Sequence, residues 1–230
     1  VNVHTDRPRP TAVATKFGEE GQVLVSVDDF APDPDALRAA AMTARFGAAD
    51  QHYPGVRAAL PGGYMQQQMP LIARLIGRHL GSCRQVRVVD ASFSIVTTAP
   101  GQLSVPQRLP HVDAYGAERI AMVHYLSPED GDGTAFFRHR ATGFETITAE
   151  RAPAYTAALD AELAKAPPPP AYVAGDTPQF SCIARAEARF NRALLYRSWS
   201  LHSGAIAPDA ALSADPSVGR LTITGFFAIA

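Results

Sequence analysis

The stretch RIAMVHYLSPEDGDGTAFFR, Arg119 to Arg138, decides how the chain is read. Its two ends, Arg119 to Leu126 and Thr134 to Arg138, carry β-branched and aromatic residues around a polar, glycine-bearing middle, which is the pattern of paired strands. Further β-prone runs lie at Val86 to Thr98, Leu194 to Trp199 and Leu221 to Ala228. Phe180 to Phe190 is read as another strand, although Arg185 and Arg189 at helical reach would also suit a helix. Ala149 to Lys165 is a helix with Thr148 as its candidate cap, and Pro153 sets its true start a few residues later. Pro167 to Pro170 ends it as a stiff linker or surface loop rather than a domain boundary, since the strands beyond complete the sheet before it.

Upstream, the pattern changes. Gln22 to Val27 (QVLVSV) is β-prone, and Asp33-Pro34 offers an N-cap and a first-turn proline for an alanine-rich helix reaching Phe46. Tyr53-Pro54-Gly55 and Pro61-Gly62-Gly63 punctuate a loop. Gln66 to Leu80 then places Met69, Ile72, Leu75, Ile76 and Leu80 at helical spacing. The expected architecture is one α+β domain over residues 1–230. Residues 1–85 form its helical support, and residues 86–230 a β-sandwich or barrel core with a helical insertion near 149–165.

Composition narrows the function classes. Twenty-one Lys and Arg nearly cancel 22 Asp and Glu, so no net field favours nucleic acid or an anionic membrane. The expected partner is a small-molecule or peptide substrate, with no nucleic acid and no membrane; the oligomeric state stays open. Cys83 and Cys182 form no Cys-x-x-Cys pair and read as free thiols of a reducing compartment. Val1 to Pro10 lacks the apolar run of a signal peptide, which makes the cytoplasm the expected location. The chain opens on Val1 rather than Met, which leaves the position of the native N-terminus open.

One constellation carries chemistry. His111-Val112-Asp113 puts an imidazole and a carboxylate on one face of an extended segment, because alternate residues of a strand share a face. Pro110 favours extension by fixing its own φ and pushing Leu109 out of the helical region. His202 follows the run ending near Ser200, and Arg220 opens the last strand after an interval long enough for a loop to leave and return. Two histidines and one carboxylate occupy one face of a metal and leave the other open, as a non-haem Fe(II) oxygenase requires. A catalytic zinc accepts the same donors. The bland alternative is a loop histidine beside a solvated aspartate.

These residues resemble the 2-oxoglutarate/Fe(II)-dependent dioxygenase superfamily, in particular its prolyl-hydroxylase-like branch. The resemblance is carried by His111-Val112-Asp113, Tyr125-Leu126-Ser127, Gly131-Asp132-Gly133-Thr134, His202 and Arg220-Leu221-Thr222. The segments YPGVRAALP (Tyr53 to Pro61), GTAFFRHRATG (Gly133 to Gly143) and FNRALLYRSWSLHSG (Phe190 to Gly204) also resemble a bacterial family of dioxygenase-like proteins. The resemblance implies a double-stranded β-helix, a jelly-roll-like barrel, with the N-terminal helices packed on its outer sheet. It implies His111, Asp113 and His202 as Fe(II) ligands, Arg220 as the anchor of the distal carboxylate of 2-oxoglutarate, and Thr222 and Tyr125 as further co-substrate contacts. The implied activity is hydroxylation, and Asp113 argues against a halogenase, which replaces that carboxylate with a small residue. The rival classes are a non-catalytic β-barrel module that binds a metal or a small acid, and a zinc hydrolase.

Other residues remain open at this level. His124 and His139 read as structural histidines within strands. Arg138 and Arg140 make one strand face cationic, either for a substrate carboxylate or for local ion pairs, and Gln107 is a further candidate for the substrate pocket. Residues 208–218 form either a mobile lid or a longer surface loop.

Overall fold

Period-two alternation in the central strands sorts residues onto two faces of one sheet, and this sorting positions the site. The structure, a computed structural model, describes residues 9–49, 52–128 and 131–230, without the side chain of Asp132. The expectations for Val1 to Pro8 and for the Asp132 side chain fall outside the described residues.

In chain order the elements are β1 (Thr11–Phe17), β2 (Gln22–Asp28), α1 (Pro34–Thr43), β3 (Gly47–Ala48), β4 (Gly55–Ala58) and α2 (Tyr64–Leu75), which runs into a π-helical turn, Ile76–Leu80. Then follow β5 (Val86–Val96), β6 (Arg119–Tyr125), β7 (Gly131–His139), α3 (Ala152–Lys165), β8 (Phe180–Ala188), β9 (Ala193–Arg197), β10 (His202–Gly204) and β11 (Leu221–Ile229). Eight strands form one antiparallel sheet in the order β1-β2-β9-β6-β11-β5-β4-β3, and three form a second, β10-β7-β8.

On one face of the large sheet, Val25, Val27, Phe93, Ile95, Met122 and Ile223 meet Leu37 and Ala41 of α1 and Ile72 and Leu75 of α2. On the other, Leu24, Ala121, Tyr125, Leu194 and Tyr196 meet Phe136, Ala186 and Ala188 of the small sheet. Each fully buried aliphatic or aromatic side chain here contributes about 1.5–3 kcal/mol. The sheet is therefore held by apolar contact on both faces. The cavity opens on the second face, where Ala121, Val123 and Tyr196 of the large sheet and Thr134, His202 and Ser203 of the small sheet line it.

The α+β class is observed, with a mostly antiparallel sheet and few helices. The large sheet is open at β1 and β3, so the closure of a jelly-roll barrel is not seen among the described residues. The region read as the helical support, residues 1–85, supplies four strands as well as two helices, with the β-prone run Gln22 to Val27 among the strands. β1 is exposed along almost its whole length and has no apolar face to betray it, and β3 and β4 are short, β4 paired to β5 and β3 to β4. Phe180–Ala188 is a strand, as read from the sequence. Asp33 caps α1 by accepting from Ala36 N–H at 3.0 Å. The Thr148 hydroxyl accepts from Arg151 N–H at 3.3 Å just before α3 begins. No helix among the described residues is long and apolar enough to cross a membrane.

Candidate metal centre

His111 and Asp113 lie in the irregular segment before β6, and backbone hydrogen bonds fix them beside β10. His111 N–H donates to His202 O at 2.8 Å, His202 N–H donates to His111 O at 2.9 Å, and Asp113 N–H donates to Ser198 O at 2.9 Å. This two-way bridge makes the segment extended, so residues 111 and 113 face the same way. The three donor atoms of His111, Asp113 and His202 all lie within 4.8 Å of one another. His111 Nε2 stands 3.7 Å and His202 Nε2 3.6 Å from the Asp113 carboxylate. Donors that share one ion at about 2.1 Å stand roughly 3–4 Å apart, so the set fits a transition metal.

The protonation pattern agrees. His202 Nδ1 lies 2.9 Å from the Ser200 carbonyl, which can only accept, so the proton is on Nδ1 and the Nε2 lone pair faces Asp113. Burial lowers His202 to about 4, against the opposing effect of the Ser200 hydrogen bond. His111 is also lowered to about 4. Desolvation among the cavity walls is the main cause and His202 the second, while Asp113 opposes. The His111 side chain is 54% exposed and borders the cavity. Burial raises Asp113 above the ordinary carboxylate value, against His111, Arg57 and Arg119. At neutral pH both imidazoles are thus neutral, the form in which a histidine can ligate a metal.

The triad opens into a cavity of about 630 Å³, within the usual range for small-molecule sites. Arg220 and Thr222 of the β11 region line it, as does Gln107 on the turn Pro106–Arg108. Arg220 Nη2 donates to Gly133 O at 3.0 Å, and its guanidinium lies 5.4 Å from the centre of the Tyr125 ring. Gly133 has to be glycine, because a Cβ there would collide with the Ala186 carbonyl of the paired strand β8. The Thr222 hydroxyl donates to Ser94 O at 3.2 Å.

Tyr125 is placed differently. It is buried between the sheets, its hydroxyl 2.7 Å from Thr134 Oγ1, and it is not among the residues that line the cavity. Arg138 and Arg140 are not brought to the site either. Arg138 pairs with Glu145 and Glu19, and Arg140 with Asp176, which is the local ion-pair outcome. No residue of the segment 208–218 lines the cavity. The loop after the four prolines does reach it: Tyr172 lines the cavity and donates its hydroxyl to Thr98 O at 2.7 Å.

Sequence reasoning missed Tyr53, Arg57 and Arg119. Tyr53 is raised by burial, and Arg220, Arg57 and side-chain hydrogen bonds with Ser94 and Thr222 oppose this, which groups these five residues at one end of the cavity. Arg57 stacks 4.7 Å over the Tyr53 ring. Alternation gave the signal for Arg119, since it shares a strand face with Ala121 and Val123, which also line the cavity. Tyr53 and Arg57 lie in YPGVR, quoted above for its resemblance but given no role.

A search of the curated proteins finds no match. Among solved structures, the crystal structure of the non-heme alpha ketoglutarate dependent epimerase SnoN from nogalamycin biosynthesis aligns with a TM-score of 0.44 at 12% identity, over 90% of this chain and 78% of that one. The model of the family of unknown function DUF6445 matches residues 8–227, nearly the whole length, and the chain belongs to that family.

Proposed function

We propose that this protein is an Fe(II)- and 2-oxoglutarate-dependent oxygenase that hydroxylates a small-molecule or peptide substrate. One observation carries the reading: His111, Asp113 and His202 converge their donor atoms at a cavity that Arg220 also lines. The donor chemistry fits iron, since two neutral imidazoles and one carboxylate leave coordination positions open. When bound, iron and 2-oxoglutarate together supply the activation of O2 and the oxidising equivalents for hydroxylation.

The chain's own residues have separable tasks on this reading. Ser200 O holds the His202 ring in one tautomer, and the backbone bridge holds His111 beside it. Arg220 offers a planar fork to the distal carboxylate of the co-substrate, steadied from behind by Gly133 O and the Tyr125 face. Thr222 and Tyr53 stand beside it with hydroxyls. Leu109, Ile206 and Phe226 supply apolar wall that keeps water from the reacting centre. The large and small sheets are then the two walls of a double-stranded β-helix. The reading is for the superfamily; the prolyl-hydroxylase-like branch leaned on Tyr125, whose hydroxyl is engaged by Thr134.

Anaerobic addition of Fe(II) and then 2-oxoglutarate should produce the weak visible charge-transfer band of the chelate, and O2 should then release succinate. Metal binding with neither band nor succinate would reject the oxygenase and favour the zinc hydrolase or the binding module.

A further inference from the structure

Three arginines line the cavity, and the proposed co-substrate engages one of them. Arg57, Arg119 and Arg220 line it, against the carboxylates of Asp90 and Asp113 alone among the described lining residues.

Position and unused donors single out Arg119. Arg57 and Arg220 both act on the Tyr53 phenol, at the end of the cavity where Thr222 pairs with Tyr125 across β11 and β6. Arg119 stands at the far end of the same strand pair, opposite Ala228, six residues from Tyr125 or about 20 Å along the strand. Its backbone is tied to the metal centre through one residue: Ser198 N–H donates to Arg119 O, and Ser198 O accepts from Asp113 N–H. Among the described residues no side-chain hydrogen bond or ion pair engages the Arg119 guanidinium, and its Nε–H is buried without a hydrogen-bond partner. A cation that borders a cavity, next to the metal ligands and with donor capacity to spare, is built to receive an anion.

We propose that Arg119 is a substrate-binding residue and that the substrate carries a carboxylate, bound as a monoanion at the opposite end of the β6–β11 pair from Arg220. A single planar fork matches one carboxylate in bidentate fashion. The location of the co-substrate rests on the oxygenase reading, whereas the role of Arg119 toward an acid is tested separately.

The test is calorimetric titration of the full chain, saturated with Mn(II) and 2-oxoglutarate, with benzoate, hexanoate and N-acetylglycine, each beside its primary amide. At least one acid should bind about tenfold or more tightly than its amide. Arg119→Gln should erase that preference and leave 2-oxoglutarate affinity within about twofold, while Arg220→Gln should do the reverse. Arg119→Lys keeps the charge and loses the fork. It should weaken acid binding several-fold without moving amide binding, and it decides the matter if Arg119→Gln does not fold. The proposal is overturned if no acid is preferred, if the preference survives Arg119→Gln or is unmoved by Arg119→Lys, or if Arg119→Gln removes 2-oxoglutarate binding instead. If 2-oxoglutarate does not bind the wild type but an Arg119-dependent acid preference is present, the co-substrate reading fails and this inference stands.

Discussion

His124 and His202 sit on opposite faces of the structure's central layer, both buried and both lowered to about 4 with desolvation as the leading cause. They differ in where their nitrogens point. His124 faces the helices, and both nitrogens are taken: Nε2 donates to Asn191 Oδ1 at 3.0 Å, which leaves Nδ1 to accept from the Tyr64 hydroxyl at 3.0 Å. Asn191 cannot turn away, because Ala31 N–H donates to its Oδ1 and Ala31 O accepts from its Nδ2. His202 has one nitrogen fixed by Ser200 O, and the other is left to converge with His111 on Asp113. Burial and a shifted pKa therefore do not mark a functional histidine. What sets His202 apart is a nitrogen left open by protein and aimed at two other potential ligands.

The largest contrast should come from breaking each histidine in turn. His202→Ala should weaken Fe(II) or Mn(II) binding by more than the roughly 100-fold that loss of an outer-shell partner costs, with the melting temperature nearly unchanged. His124→Ala should do the opposite, costing about 3 kcal/mol or more by leaving a void and stranding Tyr64 and Asn191, while the folded fraction still binds metal. Metal titration paired with urea unfolding separates the two. Equal metal loss in both variants would erase the distinction between the faces. Next in size is Arg220→Gln, which removes a charge-assisted fork and should weaken 2-oxoglutarate by about 100-fold while leaving metal affinity intact.

A pH series sharpens the same contrast. The folded-state value of His124 lies below its ordinary 6.5, so between about 4 and 6.5 the unfolded chain binds the extra proton and the folded chain does not. Its neutral form is fully compatible with folding above pH 6.5, and stability falls as pH drops toward 4. With the triad removed by His111→Ala, Asp113→Asn and His202→Ala, unfolding free energy should still decline across that window by up to about 3 kcal/mol. A flat profile would mean that His124 is protonated within its network.

Much of this was legible in the sequence. The strands Val86–Val96, Arg119–Tyr125 and Leu221–Ile229 announce themselves by composition, and His111-Val112-Asp113 is legible because an extended segment has a fixed period. β1 was not, since an exposed edge strand needs no apolar face. The partners of Arg138 were hidden for another reason. Glu19 lies 119 positions away along the chain, so only the tertiary fold could distinguish an ion pair from a substrate contact. The cationic cavity end was invisible in the same way, because Arg57 and Arg220 meet only when β4, β5 and β11 lie side by side.

The smallest expected effect bears on two tyrosines that sequence and structure rank differently. The resemblance gives the co-substrate contact to Tyr125, but the structure buries that ring between the sheets with its hydroxyl on Thr134, while Tyr53 lines the cavity beside Arg220. A hydroxyl already satisfied within the core contributes to stability rather than to ligand binding, so Tyr125→Phe should cost about 1 kcal/mol of folding free energy and leave 2-oxoglutarate affinity within about twofold. Tyr53→Phe should cost a similar amount of stability, since its hydroxyl also bonds with Ser94 and Thr222, and in addition weaken 2-oxoglutarate by about tenfold, the loss of one hydrogen bond to a charged group. Should Tyr125→Phe prove the more damaging to binding, Arg220 is the route: its guanidinium rests on the Tyr125 face, and a ring shifted by loss of the Thr134 bond would move the carboxylate anchor with it. Adding Thr134→Val to the wild type separates these cases, because it removes the same hydrogen bond without touching the ring. Binding lost in both variants means positioning through Arg220, and binding lost only in Tyr125→Phe means direct contact with the co-substrate.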